Sequence, residues 1–128
     1  MSGDRIPDFV RRMQVRPTDR VLEIGCGHGV ACGLVCAWLT SGQYLAIDRS
    51  RKMIDAASAR NARFIEQGIA TFLLADLETL DLGEQRRFDK IFAMRVGLFH
   101  RDPERARRLA ERWLAPGGQL FVQYDTPA

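Results

Sequence analysis

A chain of 128 residues, 46% apolar and 27% charged, has the composition of an ordinary soluble globular protein and can bury about two-thirds of its unfolded surface. Its net charge of +3, from 17 Arg and 2 Lys against 16 acids, is modest and spread along the chain; it permits a nucleic-acid partner without arguing for one. No apolar run approaches the roughly 18 residues of a membrane span, the first residues show no signal-peptide core, and an odd set of three cysteines reads as reduced thiols in a cytoplasmic protein.

In chain order, residues 7–15 read as a short helix with Phe9, Val10 and Met13 on one face. A turn at Pro17-Thr18-Asp19 leads into "RVLEIG", a strand over 20–25. Residues 29–40 read as a helix apolar almost all round, and so well buried. "QYLAID" (43–48) is a second strand, after Ser41-Gly42. Residues 50–66 read as one long helix with Met53, Ile54, Ala57 and Phe64 toward the core. "ATFLLAD" (70–76) is a third strand, and 77–87 is a loop or a single helical turn. "RFDKIFAM" (87–94) is a fourth strand. Residues 102–114 form a helix that starts on Asp102 and Pro103 and turns Ala106, Leu109, Ala110 and Trp113 inward. "APGG" stops it, and "QLFVQYD" (119–125) is a fifth strand.

Strands alternating with helices predict an α/β fold: a doubly wound, mostly parallel sheet with helices on both faces. The strands are short and rich in Leu, Ile, Phe and Val, as doubly buried strands are. There is no repeat or linker, so residues 1–128 read as a single domain.

Three glycines at alternate positions, Gly25, Gly27 and Gly29, sit where the first strand ends and a helix begins. In an open α/β sheet, ligands bind outside the carboxyl ends of strands. Glycine there lets the backbone turn sharply and lets a ligand touch the main chain. Asp48 closes the second strand and suits a ribose diol, because a carboxylate accepts from both hydroxyls. Asp76 closes the third and can accept from an exocyclic adenine amine. Glu23, inside the first strand, is costly unless it pairs or binds something cationic. Together they describe a pocket for a nucleoside carrying positive charge. A nicotinamide or flavin dinucleotide fold fits less well. Its G-x-G-x-x-G fingerprint would need glycine at Val30, and Glu23 would sit badly beside a pyrophosphate.

These stretches resemble the class I S-adenosylmethionine-dependent methyltransferases. "VLEIGCGHG" is similar to their E/D-x-G-x-G-x-G motif, "AIDRSRKMI" to their second-strand segment and "LLADLETL" to their third. "FDKIFAMRVGLFH" and "LAPGGQLFV" resemble the fourth-strand segment and the turn into strand five. The resemblance covers residues 7–125 in order. It implies a five-stranded sheet in the order 3-2-1-4-5, without the family's usual last two strands, and S-adenosyl-L-methionine as cofactor. It also implies roles. Glu23 would support the methionyl amino end through its surroundings. Gly25, Gly27 and Gly29, with Cys26 and His28 between them, would line the methionyl and ribose parts. Asp48 would hold the ribose hydroxyls, Arg49 and Met53 would pack near the adenine, and Asp76 and Leu77 would meet its edge. Met94, Arg95 and Val96 would floor the pocket beside the sulfonium.

Other residues have plainer readings. Cys26, His28, Cys32 and Cys36 invite a metal, with the last three at helical spacing, but small buried cysteines in a buried helix explain them better and no metal is expected. Arg101, Arg105, Arg108 and Arg112 read as the solvated face of one helix. Trp38 and Trp113 read as core. Tyr124 and Asp125 end the fifth strand and could reach a site there. His100 is the one general-base candidate after strand four, although a loop histidine or a helix-start residue explains it more simply.

The activity implied is direct in-line methyl transfer, in which alignment of donor and acceptor supplies the acceleration. "MRVGLFH" stands where nucleic-acid-modifying members of the family often carry an Asn/Asp-Pro-Pro-Tyr/Phe signature, which favours a small-molecule acceptor over a nucleic acid. The alternative is a non-catalytic or truncated S-adenosylmethionine-binding module that acts with a partner. Strand five would be an uncharged outer edge, expected to pair two chains into a homodimer or to promote aggregation.

Overall fold

The computed structural model describes residues 2–123. Helix α1 (Ser2–Arg12) leads to strand β1 (Arg20–Ile24), helix α2 (Val30–Cys36) and strand β2 (Gln43–Asp48). Helices α3 (Arg51–Arg60) and α4 (Ala62–Glu66) precede β3 (Ala70–Leu74), and a loop leads on to β4 (Phe88–Met94). Helices α5 (Gly97–Arg101) and α6 (Pro103–Glu111) precede β5 (Leu114–Gln123). The sheet runs β3-β2-β1-β4-β5 with every neighbouring pair parallel. This is the expected order.

Side chains alternate across a strand, and two apolar layers result. One face of the sheet carries Val21, Tyr44, Ala46 and Phe92 against α1, α2 and α3, through Phe9, Met13, Val35 and Ala57. The other carries Leu22, Ile24, Leu45, Ile47 and Ile91 against α5 and α6, through Phe99, Ala106 and Ala110. Trp113 is the largest fully buried side chain of that second layer. Burial of each large residue contributes roughly 1.5–3 kcal/mol.

Several boundaries differ from the sequence reading. Helix α1 starts at Ser2 and carries Pro7 inside it; it ends at Arg12, short of Val15, and Gln14 then takes a left-handed φ of 51°. The expected helix over 29–40 is only α2, and the assumption that it is buried all round fails. Val30 and Trp38 are exposed, Trp38 to 64%. Trp38 is therefore not core, because the chain leaves the helix after Cys36 and turns its ring outward. The long helix over 50–66 breaks at Asn61, whose backbone is non-helical at φ −113° and ψ 26°. A short α5 appears where no element was expected. Strand β5 starts at Leu114, so "APGG" lies within it as a bulge, with Phe88 opposite Leu114 and Lys90 opposite Gln119.

At the amino end of the sheet, Asp19 and Lys90 are both buried. Lys90 Nζ donates to Asp19 Oδ2 at 3.0 Å, and the Arg16 amide donates to the same oxygen at 2.8 Å. Among the described residues no helix is long and apolar enough to cross a membrane.

Candidate functional site

The carboxyl ends of β1, β2, β3 and β4 open into a cleft of about 420 Å³, a size suited to a small ligand or cofactor. Its floor is Ile24, Ile47, Ala75 and Leu77, with Met94 and Val96 beside them. The loop after β1 supplies Gly25 and Gly27. Acidic groups come from the β2 and β3 side, as Asp48, Asp76 and Glu78; Arg95 and Arg101 come from the β4 side. Arg49 also lines the cleft, next to Asp48.

The glycine loop is fastened on both sides. Gly25 and Cys26 amides donate to Ile47 O at 2.8 and 3.0 Å. The Gly27 amide donates to Asp48 Oδ2 at 2.9 Å, and the Ser50 amide donates to Asp48 Oδ1 at 2.9 Å. Asp48 thus fixes the loop while presenting its carboxylate to the cleft, and each oxygen keeps a second lone-pair direction for another donor.

The glycines answer to different needs. Gly29 has φ +85°, and a Cβ on it would lie 2.6 Å from Asn61 Nδ2 and 2.8 Å from Ala57 Cβ. It is glycine so that α2 can start hard against α3. Asn61 completes that contact, donating from Nδ2 to Gly29 O and to Ala57 O, both at 2.9 Å. Gly27 has φ +54°, and nothing lies within 4 Å of a Cβ built on it. The protein leaves that space open on the cleft side.

Of the expected site residues, Gly25, Gly27, Asp48, Arg49, Asp76, Leu77, Met94, Arg95 and Val96 come together around the cleft. Glu23, Cys26, His28, Gly29, Met53 and His100 are not among its lining residues. Glu23 shares a face with Val21, whereas Ile24 and Ile47, which line the cleft, lie on the opposite face. It is buried and accepts a hydrogen bond from the Tyr44 hydroxyl. Burial, reinforced by the negative charge of Asp48 and opposed by the Tyr44 bond, raises its pKa from 4.5 to about 8. Cys26 is buried as well. Desolvation and the nearby carboxylates push its thiol up to about 12, so it is no nucleophile at neutral pH.

His28 is exposed and precedes α2, so it does not continue the helical face of Cys32 and Cys36. Cys32 Sγ and Cys36 Sγ lie 3.6 Å apart in the core, and no three metal-ligating side chains cluster among the described residues. Met53 is half-buried in the first turn of α3, where its amide donates to Ser50 Oγ. His100 is exposed in the last turn of α5. Tyr124 and Asp125 lie outside the described residues. Asp76 Oδ1 accepts from the Thr79 amide and hydroxyl, each at 3.0 Å.

Sequence reasoning missed Glu78, Gly97, Leu98 and Arg101 as lining residues. Arg101 does not belong to the solvated face of α6; it ends α5 and reaches the cleft. The other three arginines of that row do lie on or after α6. Arg105 pairs with Glu78 at 2.8 Å, Arg108 is exposed, and Arg112 covers the Trp113 ring at 5.2 Å.

Residues 21–118 match the family model described as a methyltransferase domain. Trans-aconitate 2-methyltransferase of Methylobacterium radiotolerans is 30% identical over 118 residues, which cover 91% of this chain and 42% of that protein. The crystal structure of coclaurine N-methyltransferase bound to N-methylheliamine and SAH superposes with a TM-score of 0.77 at 22% identity, covering 93% of this chain and 34% of that one. The [4+2]-cyclase SpnF superposes equally well, with a TM-score of 0.77 at 29% identity over 93% of this chain and 43% of its own. The chain therefore spans less than half the length of each of these relatives. A matched family model over most of the chain and the β3-β2-β1-β4-β5 sheet lead to one assignment: this chain belongs to the methyltransferase domain family, in the class I S-adenosylmethionine-dependent group.

Proposed function

We propose that the cleft binds S-adenosylmethionine and that the chain aligns its methyl group for direct transfer to a small-molecule acceptor. The observation that carries this is the meeting of Gly25, Gly27, Asp48 and Asp76 around one cleft at the carboxyl ends of β1, β2 and β3. The residues fit the group. Gly27 leaves open space against its backbone, and Asp48 offers acceptors for a ribose diol. Asp76 and Leu77 would meet the adenine edge, with Arg49 beside it. Met94 and Val96 would form the apolar floor under the reacting end. Glu23 would act from behind the sheet, through Tyr44 and the β1–β2 pairing.

When bound, the cofactor supplies a methyl on a positively charged sulfur, already activated toward displacement. The chain's own task is then alignment and exclusion of water. No base is required of it, in keeping with His100 lying away from the cleft lining. Relatives named for small acceptors, trans-aconitate and coclaurine, support a small acceptor here. Three buried free thiols fit a reducing, cytoplasmic setting.

Calorimetric titration with S-adenosylmethionine and S-adenosylhomocysteine tests the proposal. Asp48→Asn should weaken S-adenosylhomocysteine roughly 10- to 100-fold, the loss of a charge-assisted contact of about 1.5–3 kcal/mol. Unchanged affinity would end the ribose assignment. Binding without methyl transfer to any small acceptor would favour the second reading, a cofactor-binding module that works with a partner.

Gly27→Ala separates the uses of the loop. Its Cβ meets no protein atom, so the cost to folding should be only the left-handed backbone, about 1–2 kcal/mol. The methyl would stand where the ligand must approach, and affinity should drop at least tenfold. A stable variant with full affinity would show that Gly27 serves turn geometry alone.

A further inference from the structure

The amino end of the sheet carries a second concavity. A groove of about 500 Å³ opens there, at the starts of β1, β2 and β4. It lies about 15 Å, the length of a five-residue strand, from the cofactor cleft. Its outer wall is the turn that enters β4. Leu80 roots that turn in the second apolar layer, and Asp81 Oδ1 accepts from the Gly83 amide at 3.0 Å where the backbone turns left-handed, at φ +86°. The polar lining is Arg20, Gln43, Glu84, Gln85, Arg86 and Arg87.

The three arginines of this lining are held differently. Arg20 has a carboxylate beside it, Nε lying 3.5 Å from Asp89 Oδ2. Arg86 and Arg87 have none among the described residues. What holds them is aromatic and backbone contact. The Arg86 guanidinium carbon stands 5.7 Å from the centroid of the Phe88 ring beneath it, that of Arg87 stands 5.8 Å from the Trp113 ring, and Arg87 Nη1 donates to Arg86 O at 2.8 Å. Contact with a ring engages the face of a guanidinium and leaves N–H edges for oxyanions, and it neutralises no charge. It also orders the side chain beforehand, which lowers the entropy lost on binding. The nearby Asp19–Lys90 pair is buried and internally neutral, so it offsets nothing in the groove. Two ordered guanidinium forks, two carboxamides and a small enclosed volume suit several tetrahedral oxygens at once. Glu84 can accept from a hydroxyl on the same ligand. We infer that this groove is a second binding site, for a small molecule carrying a diphosphate group, with Arg86 and Arg87 as its recognition residues. The inference is independent of what the cofactor cleft holds.

The test is calorimetric titration of the native chain with pyrophosphate, orthophosphate and a tetraglutamate peptide. Pyrophosphate should bind about tenfold tighter than either of the others, because it alone offers a tetrahedral oxyanion to each fork at once. Arg86→Gln should weaken pyrophosphate about tenfold. Arg87→Lys, which keeps the charge and loses the fork, should weaken it about threefold. Arg86 is exposed, so Arg86→Gln should melt with the native chain and its loss of affinity reads the groove, not the fold. Two controls remove one charge elsewhere, Arg60→Gln on the exposed side of α3 and Arg101→Gln in the cofactor cleft. Both should leave pyrophosphate affinity unchanged. Equal weakening in Arg60→Gln would mean that only net charge matters, and it overturns the inference. So does a loss in Arg101→Gln with Arg86→Gln unaffected, which would place the anion in the cofactor cleft. Tetraglutamate bound as tightly as pyrophosphate would make the groove a reader of acidic protein segments, and that also overturns it, as does a native chain that binds no pyrophosphate. S-adenosylhomocysteine is titrated separately, and its result bears on the cofactor reading alone.

Discussion

Between about pH 5 and pH 8 the native chain should lose stability at about 1 kcal/mol per pH unit, and Glu23→Gln should remove most of that slope. In the fold Glu23 is sealed inside the sheet layer and titrates near 8, against 4.5 for an ordinary glutamate. Desolvation is the main cause; the Asp48 charge adds to it and the Tyr44 hydrogen bond opposes it. Between these two values the folded chain holds a proton that the unfolded chain has released. The unfolded state therefore binds fewer protons, and stability falls as pH rises. The contribution is fully present below the unfolded value and is lost as pH climbs through the folded one. Each pH unit in that window corresponds to about 1 kcal/mol. Cys26, at about 12, stays protonated throughout. Glutamine keeps an oxygen for the Tyr44 hydroxyl but has no proton to lose. Urea midpoints of both proteins at three pH values measure the difference. Parallel slopes would mean that Glu23 ionises in the fold as freely as in water.

The second large effect belongs to the other end of the sheet. Asp19→Ala should cost about 3–5 kcal/mol, because it strands the Lys90 ammonium in the interior. The pair is 3.0 Å apart, and both side chains are more than nine-tenths buried. Asp19 also holds the Arg16 amide that closes the turn into β1, so its loss loosens that turn. Replacing both members, Asp19→Ala with Lys90→Met, should cost less than Asp19→Ala alone, since no buried charge remains. Denaturant titration of the single and double variants decides the matter. Additive costs, or a loss of less than about 1 kcal/mol for Asp19→Ala, would show that water reaches Lys90.

The parts of this molecule legible in the sequence are those set by local pattern. Five strands could be read because short apolar runs are bounded by turn residues, and their ends placed Asp48, Asp76 and Met94 at the cleft. The three glycines could be found, but not their separate uses. Gly29 is explained by Asn61, thirty-two residues away, and no local pattern reports such a contact. Asn61 itself hid inside an apparently continuous helix, although an asparagine competes well for backbone hydrogen bonds and so favours helix ends. Arg101 was assigned to the wrong helix because α5 is too short to show a period. Glu23 was flagged as costly, and rightly, but its partner Tyr44 lies on the neighbouring strand, and the alternation of strand side chains puts both behind the sheet. Lys90 looked like an ordinary strand residue. Only the fold shows that it meets Asp19.

The two tryptophans, one buried and one not, give this chain a built-in optical label. Trp113 sits in a dry layer at 2% exposure, flanked by the guanidinium groups of Arg87 and Arg112 at 5.8 and 5.2 Å from its ring. Trp38 faces water. Native fluorescence is therefore a sum of a blue component and a red one. An external quencher such as iodide reaches Trp38 first, and only Trp113 changes its surroundings when the sheet comes apart. The molecule thus separates events at its surface from events in its core without any added dye.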